Sequence, residues 1–292
     1  MAYRCCAFSG AFALIASGAL AGPITVVDGN ADAGAGLVDA LVDDTIVVNA
    51  TDFIGGVDQS GFFGDDDTAP IGPGVILTTG SADFDADTAV APPSALVGTG
   101  SNAALEAALT GPGGLTPLAP GDPINEDQNV LTFEFTTADP TATSIALDFL
   151  FATTETGALL PANPDAFGVF VDGVNFATFS NGALATATTI PSVNVNTESL
   201  PFFDAAVTNP LTLVGLLDPD LATHTISIVI ADAFDLSFDS GLILSGLTQG
   251  FATEGGIIAP LPLPGAPLLM LTGLAGVGFA ARGERQSGLT QT

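Results

Sequence analysis

The chain is predicted to be all-β, an antiparallel β-sandwich of jelly-roll-like type with two short helices, and three observations point there. Apolar and threonine-rich runs recur between clusters of Gly, Pro, Asn and Asp. Several runs alternate strictly: Phe133 and Phe135 share one face, as do Ile145, Leu147, Phe149 and Phe151, the period of a half-buried strand. No segment repeats at a fixed period, which disfavours a solenoid or a propeller.

Composition bounds the rest. Of 292 residues 47% are apolar, and the mean hydropathy is +0.54, so the chain can bury a core. It carries 32 Asp and Glu against 3 Lys and Arg, a formal charge of -29. Nucleic-acid binding is excluded, because phosphates would be repelled and almost nothing could neutralise them. The three basic residues are Arg4, Arg282 and Arg285, so no Lys or Arg occurs from Cys5 to Ala281.

Taken in chain order, residues 1–21 read as a signal peptide. Arg4 precedes the apolar run Cys5 to Ala19, and Ala19-Leu20-Ala21 places small residues where a signal peptidase cuts. Both cysteines, Cys5 and Cys6, would leave with it, so the mature chain would hold no thiol or disulfide. Residues 22–250 then form one β domain. Its clearest strands are Thr45 to Ala50, Val75 to Thr79, Val130 to Phe135, Ser144 to Phe151, Phe167 to Asp172 and Thr225 to Ile230. One helix is expected around Leu37 to Val42, where Leu37 and Leu41 share a face. A second is expected from Ser101 to Leu109, capped by Ser101 or Asn102 and stopped by Gly111-Pro112-Gly113-Gly114.

Residues 251–265 make a proline-rich linker, 266–281 an apolar span and 282–292 a basic tail. Sixteen helical residues reach roughly 24 Å, enough for a thin membrane. With Arg4, Arg282 and Arg285 held in the cytoplasm by the positive-inside rule, everything between them lies outside it. The sequence Leu261-Pro262-Leu263-Pro264-Gly265, the Gly/Leu/Ala-rich span and the terminal Arg residues together resemble the VPLPA type of PEP-CTERM sorting signal of Gram-negative bacteria. Leu261 and Gly265 stand where that pattern has Val and Ala. The resemblance implies export, a membrane held by the C-terminal helix, and two processing partners: signal peptidase and an exosortase-type enzyme. The bearers of such tails are surface or extracellular-matrix proteins, for which exopolysaccharide is a natural partner.

A second resemblance covers roughly Gly29 to Leu247. Six blocks carry it in order: Leu37 to Val42 leading to Val47-Val48-Asn49-Ala50-Thr51; Gly74 to Gly80; Asn129 to Phe135; Phe149 to Glu155; Asp165 to Asn175; and Ile228 to Ala233 with Asp239-Ser240-Gly241. The order resembles the choice-of-anchor L domain, a module joined to different bacterial surface anchors, and implies surface location without catalysis. The chain departs around Glu155, where Thr153-Thr154-Glu155-Thr156 replaces a Ser-Glu-Glu-Tyr type run.

For chemistry the residues offer little except carboxylates. His224 is the one histidine, in phase with Ile226, Ile228 and Ile230, and reads as a strand-end residue bonding a loop group or a carboxylate. No G-x-S-x-G elbow, phosphate loop or dinucleotide fingerprint occurs. A glycoside hydrolase would need two carboxylates across a cleft and flat aromatic subsites, yet the chain has no Trp and its one Tyr is in the signal peptide. Calcium is the cofactor the acidic loops suit, and three groups are candidates: Asp65, Asp66 and Asp67; Asp83, Asp85 and Asp87; and Asp232, Asp235 and Asp239. Neither of the first two is an EF-hand: in the second, Thr88 and Ser94 stand where Gly and Glu belong. The alternative is plain solvation by an acidic surface. The expected function is therefore structural or adhesive at the cell surface or in the matrix, with calcium-dependent glycan binding as the competing class.

Overall fold

The computed structural model of the chain describes residues 25–27, 31–64, 70–82, 100–110, 126–153, 165–190, 195–196, 206–233 and 239–258. Their element order begins β1 (Thr25–Val26), α1 (Ala31–Leu41), β2 (Ile46–Ile54), β3 (Ser60–Phe63), β4 (Gly74–Thr78) and α2 (Ala103–Thr110). It continues β5 (Glu126–Thr137), β6 (Ser144–Thr153), β7 (Ala166–Val171), β8 (Val174–Asn175), β9 (Val195–Asn196) and β10 (Ala206–Thr208). It ends β11 (Leu211–Leu216), β12 (His224–Asp232), β13 (Ser240–Gly250) and β14 (Gly256–Ile258). The signal peptide, the linker's sorting motif and the apolar C-terminal span lie outside the described residues. Among the described residues no helix is long and apolar enough to cross a membrane.

The strands form two antiparallel sheets. The smaller runs β2-β5-β12-β7-β8. The larger has nine strands, β1-β3-β4-β13-β6-β10-β9 with β11 and β14 branching from β6, against the eight strands in all of a jelly roll. Alternation decides which side chains meet between them. From the smaller sheet come Leu131, Phe133, Phe135, Phe167, Val169, Ile226, Ile228 and Ile230; the larger sheet contributes Val75, Leu77, Ile145, Leu147, Phe149, Phe151, Leu242 and Leu244. Phe167 joins the two layers, its ring lying 5.4 Å edge-on to Phe149 and 5.6 Å stacked on Phe151.

The two helices close this core. In α1, Leu37, Val38 and Leu41 are buried within it. The helix starts earlier than its hydrophobic pattern, because Ala33 to Gly36 are small residues that let it lie against β2. A Cβ on Gly34 would stand 2.7 Å from the Phe53 Cβ, so that approach demands glycine. The Asn102 side chain caps α2 by accepting from the amides of Ala104 and Leu105, and Leu105 and Leu109 then cover Val130, Phe170 and Val229 on the outer face of the smaller sheet. A third apolar group, including Ile76, Leu150 and Ile243, lies on the outer face of the larger sheet.

Every strand expected from the sequence is present, several with longer ends. The long strand β13 is absent from that expectation. Its residues are buried on both faces, so no alternation marks it, and Gly241, Gly246 and Gly250 disguise it as loop.

Replacing Phe167 with Ala removes the ring shared by both sheets. The substitution should cost about 3–5 kcal/mol. In urea the midpoint should fall with the slope unchanged.

Candidate functional site

Six strands change character at the same height, at one end of the sandwich. Along β5 the inward series runs Phe133, Leu131, Asn129 and then Asp127; along β12 it runs Ile228, Ile230, Asp232; and the series from β7 is Val169, Phe167, Asp165. In the facing sheet β4 leads from Leu77 to Thr79, β13 from Leu242 to Ser240, and β6 from Phe151 to Thr153. All these polar residues are buried. The apolar core therefore ends in a polar layer.

Amides and hydroxyls tie that layer together. Asn129 Nδ2 reaches across from β5 to the Gln59 carbonyl (2.9 Å), the Ser60 hydroxyl (2.8 Å) and the Thr78 carbonyl (3.2 Å). Gln59 Nε2 donates to the carbonyls of Thr79 and Asp127, at 2.8 and 3.1 Å. The Ser240 amide donates to Thr79 Oγ1, while its hydroxyl donates to Thr153 Oγ1. Asp239 packs so closely on Gly80 that a Cβ there would fall 2.0 Å from its Oδ2. Four carboxylates, those of Asp127, Asp165, Asp232 and Asp239, are thus buried at this end. The sequence supplies no Lys or Arg from residue 5 to residue 281 that could meet them.

The opposite end holds a different site. β7 and β8 are joined by a two-residue hairpin, Asp172-Gly173, in which both residues have positive φ, 50° and 82°. That turn aims the Asp172 carboxylate back across the sheet. Oδ1 accepts the Thr225 amide at 2.9 Å; Oδ2 accepts the Asp218 amide at 3.0 Å and meets His224 Nδ1 at 2.8 Å. A carboxylate only accepts, so Nδ1 carries a proton and donates it to Asp172. The imidazole also leans on Phe135, centroid to centroid 5.7 Å.

His224 forms part of the wall of a cavity of about 460 Å³. The remaining lining comes from the β5–β6 turn (Pro140 to Thr143), the end of β11 and the segment after it (Leu216 to Pro219, and Leu221), and Ala252 and Thr253 beyond β13. Just before this lining Asp139 is half-buried, and its carboxyl is held below the usual carboxylate range by the Thr141 amide and then the Thr141 hydroxyl.

The sequence-derived site residues distribute unevenly. Asp232 and Asp239 both fall in the polar end, buried. Asp65, Asp66, Asp67, Asp83, Asp85, Asp87 and Asp235 lie outside the described residues, as do Arg4, Arg282, Arg285 and the Leu261-Pro262-Leu263-Pro264-Gly265 motif. Among the described residues no three His, Cys, Asp or Glu side chains come together as a metal-holding group. His224 does bond a carboxylate at its strand end, as its position suggested. Its partner Asp172 was not singled out, although Asp-Gly between apolar runs is a strong hairpin signal that would have placed it.

Residues 27–248 match the family described as the Choice-of-anchor L domain. The chain belongs to that family. Membership points to a surface-associated, non-catalytic protein, and the match takes in both ends of the sandwich. No curated protein matches the chain. Among solved structures it is similar to a family GH115 4-O-methyl-alpha-glucuronidase, BtGH115A, with specificity for decorated arabinogalactans, at 14% identity and a TM-score of 0.20. That likeness covers 40% of this chain and only 13% of the glucuronidase, too slight to carry an argument about fold or activity.

In this choice-of-anchor L domain the Asp139 turn gives a pH signature. Its folded value is depressed, so its contribution is present above the unfolded carboxylate value and is lost as pH falls through the folded one. Carboxyl NMR should find Asp139 titrating below the ordinary carboxylate range, and Thr141→Val, which removes the hydroxyl and keeps the amide, should raise it part of the way back. An unchanged midpoint in the variant would contradict the assignment.

Proposed function

We propose that the protein is an exported structural or adhesive component of the cell surface or extracellular matrix of a Gram-negative bacterium, sorted through its C-terminal tail. Membership of the choice-of-anchor L family carries this reading. The tripartite ends support it: Arg4 with an apolar leader, and Leu261-Pro262-Leu263-Pro264-Gly265 ahead of an apolar span and Arg282 and Arg285. Signal peptidase would remove the leader and an exosortase-type enzyme would process the tail, leaving a sandwich free to meet exopolysaccharide. The acidic surface suits this location, since net charge keeps an exposed domain from self-association.

Fractionation tests it. Expressed in a Gram-negative host that carries an exosortase, the full chain should appear on the surface or in the matrix with its leader removed. Deleting Leu261 to Gly265 should trap it in the inner membrane. Recovery of the intact chain from the cytoplasm would sink the proposal.

A second reading, calcium-dependent glycan binding, draws on the buried carboxylates of the polar end. It predicts a melting temperature that is higher in calcium than in chelator, with the difference lost in Asp232→Asn. Equal melting in both conditions would leave the carboxylates as structure alone.

A further inference from the structure

Asparagine is disfavoured in strands, yet Asn49 stands in the middle of β2. Its neighbours in the chain do not explain it. Val48 pairs with Phe135 and Ala50 with Glu134, the adjacent residue of β5, so Asn49 is the extra residue of a bulge and faces nothing in that strand. A left-handed backbone would be a reason for asparagine, but the described residues other than glycine with positive φ are Asp58, Asp127 and Asp172. A side-chain bond would be another. Asn102, Asn129, Asn175 and Asn181 each bond the backbone through their amides, whereas the exposed Asn49 amide bonds nothing among the described residues. The half-buried Thr51, whose methyl packs toward Gly34, has a hydroxyl that likewise bonds nothing there.

Those two side chains belong to one tripeptide, Asn49-Ala50-Thr51, which is the chain's single instance of Asn-x-Ser/Thr with x other than proline. It lies on the terminal strand of the smaller sheet, with no further strand beyond β2 among the described residues. We propose that Asn49 is an N-glycosylation acceptor that takes an oligosaccharide from a lipid-diphosphate carrier. In the transfer Nδ2 bonds to the anomeric carbon and gives up one proton to a base of the transferase. The bond from that carbon to the diphosphate oxygen breaks, and its electron pair leaves with the lipid diphosphate. An exposed bulge on an open sheet edge has room for the bulky, solvated product. The inference rests on the exported reading, since such transfer takes place outside the cytoplasm, and it adds to that reading a covalent link to carbohydrate.

The test is expression of the full chain in a Gram-negative host that carries a periplasmic oligosaccharyltransferase reading Asn-x-Thr, together with its lipid-diphosphate-linked oligosaccharide. Cleavage before aspartates releases residues 44–51 as one peptide, because Asp44 and Asp52 flank it. Mass spectrometry should find that peptide heavier by the oligosaccharide. Asn49→Gln and Thr51→Val should each abolish the increment, Thr51→Ser should keep it, and Asn181→Gln, an exposed asparagine without a hydroxyl two residues on, should leave it unchanged. Melting of the variants close to that of the parent should accompany these results, since Asn49 holds nothing in place. Removal of the leader reports export separately. A chain that has lost its leader and carries no sugar on residues 44–51 would therefore overturn this proposal while the surface role stands, and so would an increment that survives Asn49→Gln.

Discussion

A domain without a single Lys or Arg must satisfy its carboxylates with amides, hydroxyls and water, and much of the molecule's detail follows from that constraint. Asp43 accepts the Thr45 amide and hydroxyl. Burial alone would push its carboxyl up, yet the Thr45 and Thr248 hydroxyls and the Thr45 amide outweigh it and hold the group low. Asp139 does the same with Thr141, Asp148 takes the Thr212 hydroxyl from the neighbouring strand, and Asp172 takes two amides and the imidazole. Threonine is thus both a strand former and a counter-group here, which accounts for its place beside so many acids.

The same constraint shapes the two ends of the sandwich differently. At the tight-turn end the carboxylates of Asp43, Asp139, Asp172 and Asp218 are answered locally by amides, hydroxyls and the imidazole. At the other end the inward series of six strands turns polar together, and Asn129 and Gln59 bridge the sheets where apolar packing stops. Bridging by amides fixes strand register at a level where interchangeable apolar contacts would not, because each donor has a specific acceptor. The Phe167 contacts with Phe149 and Phe151 do the corresponding work within the core.

How much of this was legible depended on periodicity. β5, β6 and β12 each bury one face more fully than the other over part of their length, so alternation announced them, and β7 is a short apolar run buried throughout; β3, β11 and β13 have glycine-punctuated runs with little alternation to read. The opening of α1 was hidden for a related reason: Gly34 and Gly36 weaken a helix locally, and tight packing on Phe53 explains the first of them. Asp232 and Asp239 were singled out as acids near one strand connection. Their partners in the polar layer were not, since Asp127 and Asp165 sit far away in sequence and come level only through the strand pairings. The His224–Asp172 pair is 52 residues apart and was half-visible, the histidine through its rarity and the aspartate only through its turn.

The most direct test of the central claim is thermal stability against sodium chloride. A fold that carries uncompensated negative charge, held by neutral donors instead of ion pairs, loses only self-repulsion when salt screens it. The melting temperature of the exported chain should therefore climb steadily between about 0.01 and 0.5 M salt, over which the Debye length shrinks from about 30 Å to a few ångströms. A melting temperature that falls or stays level over that range would contradict the account.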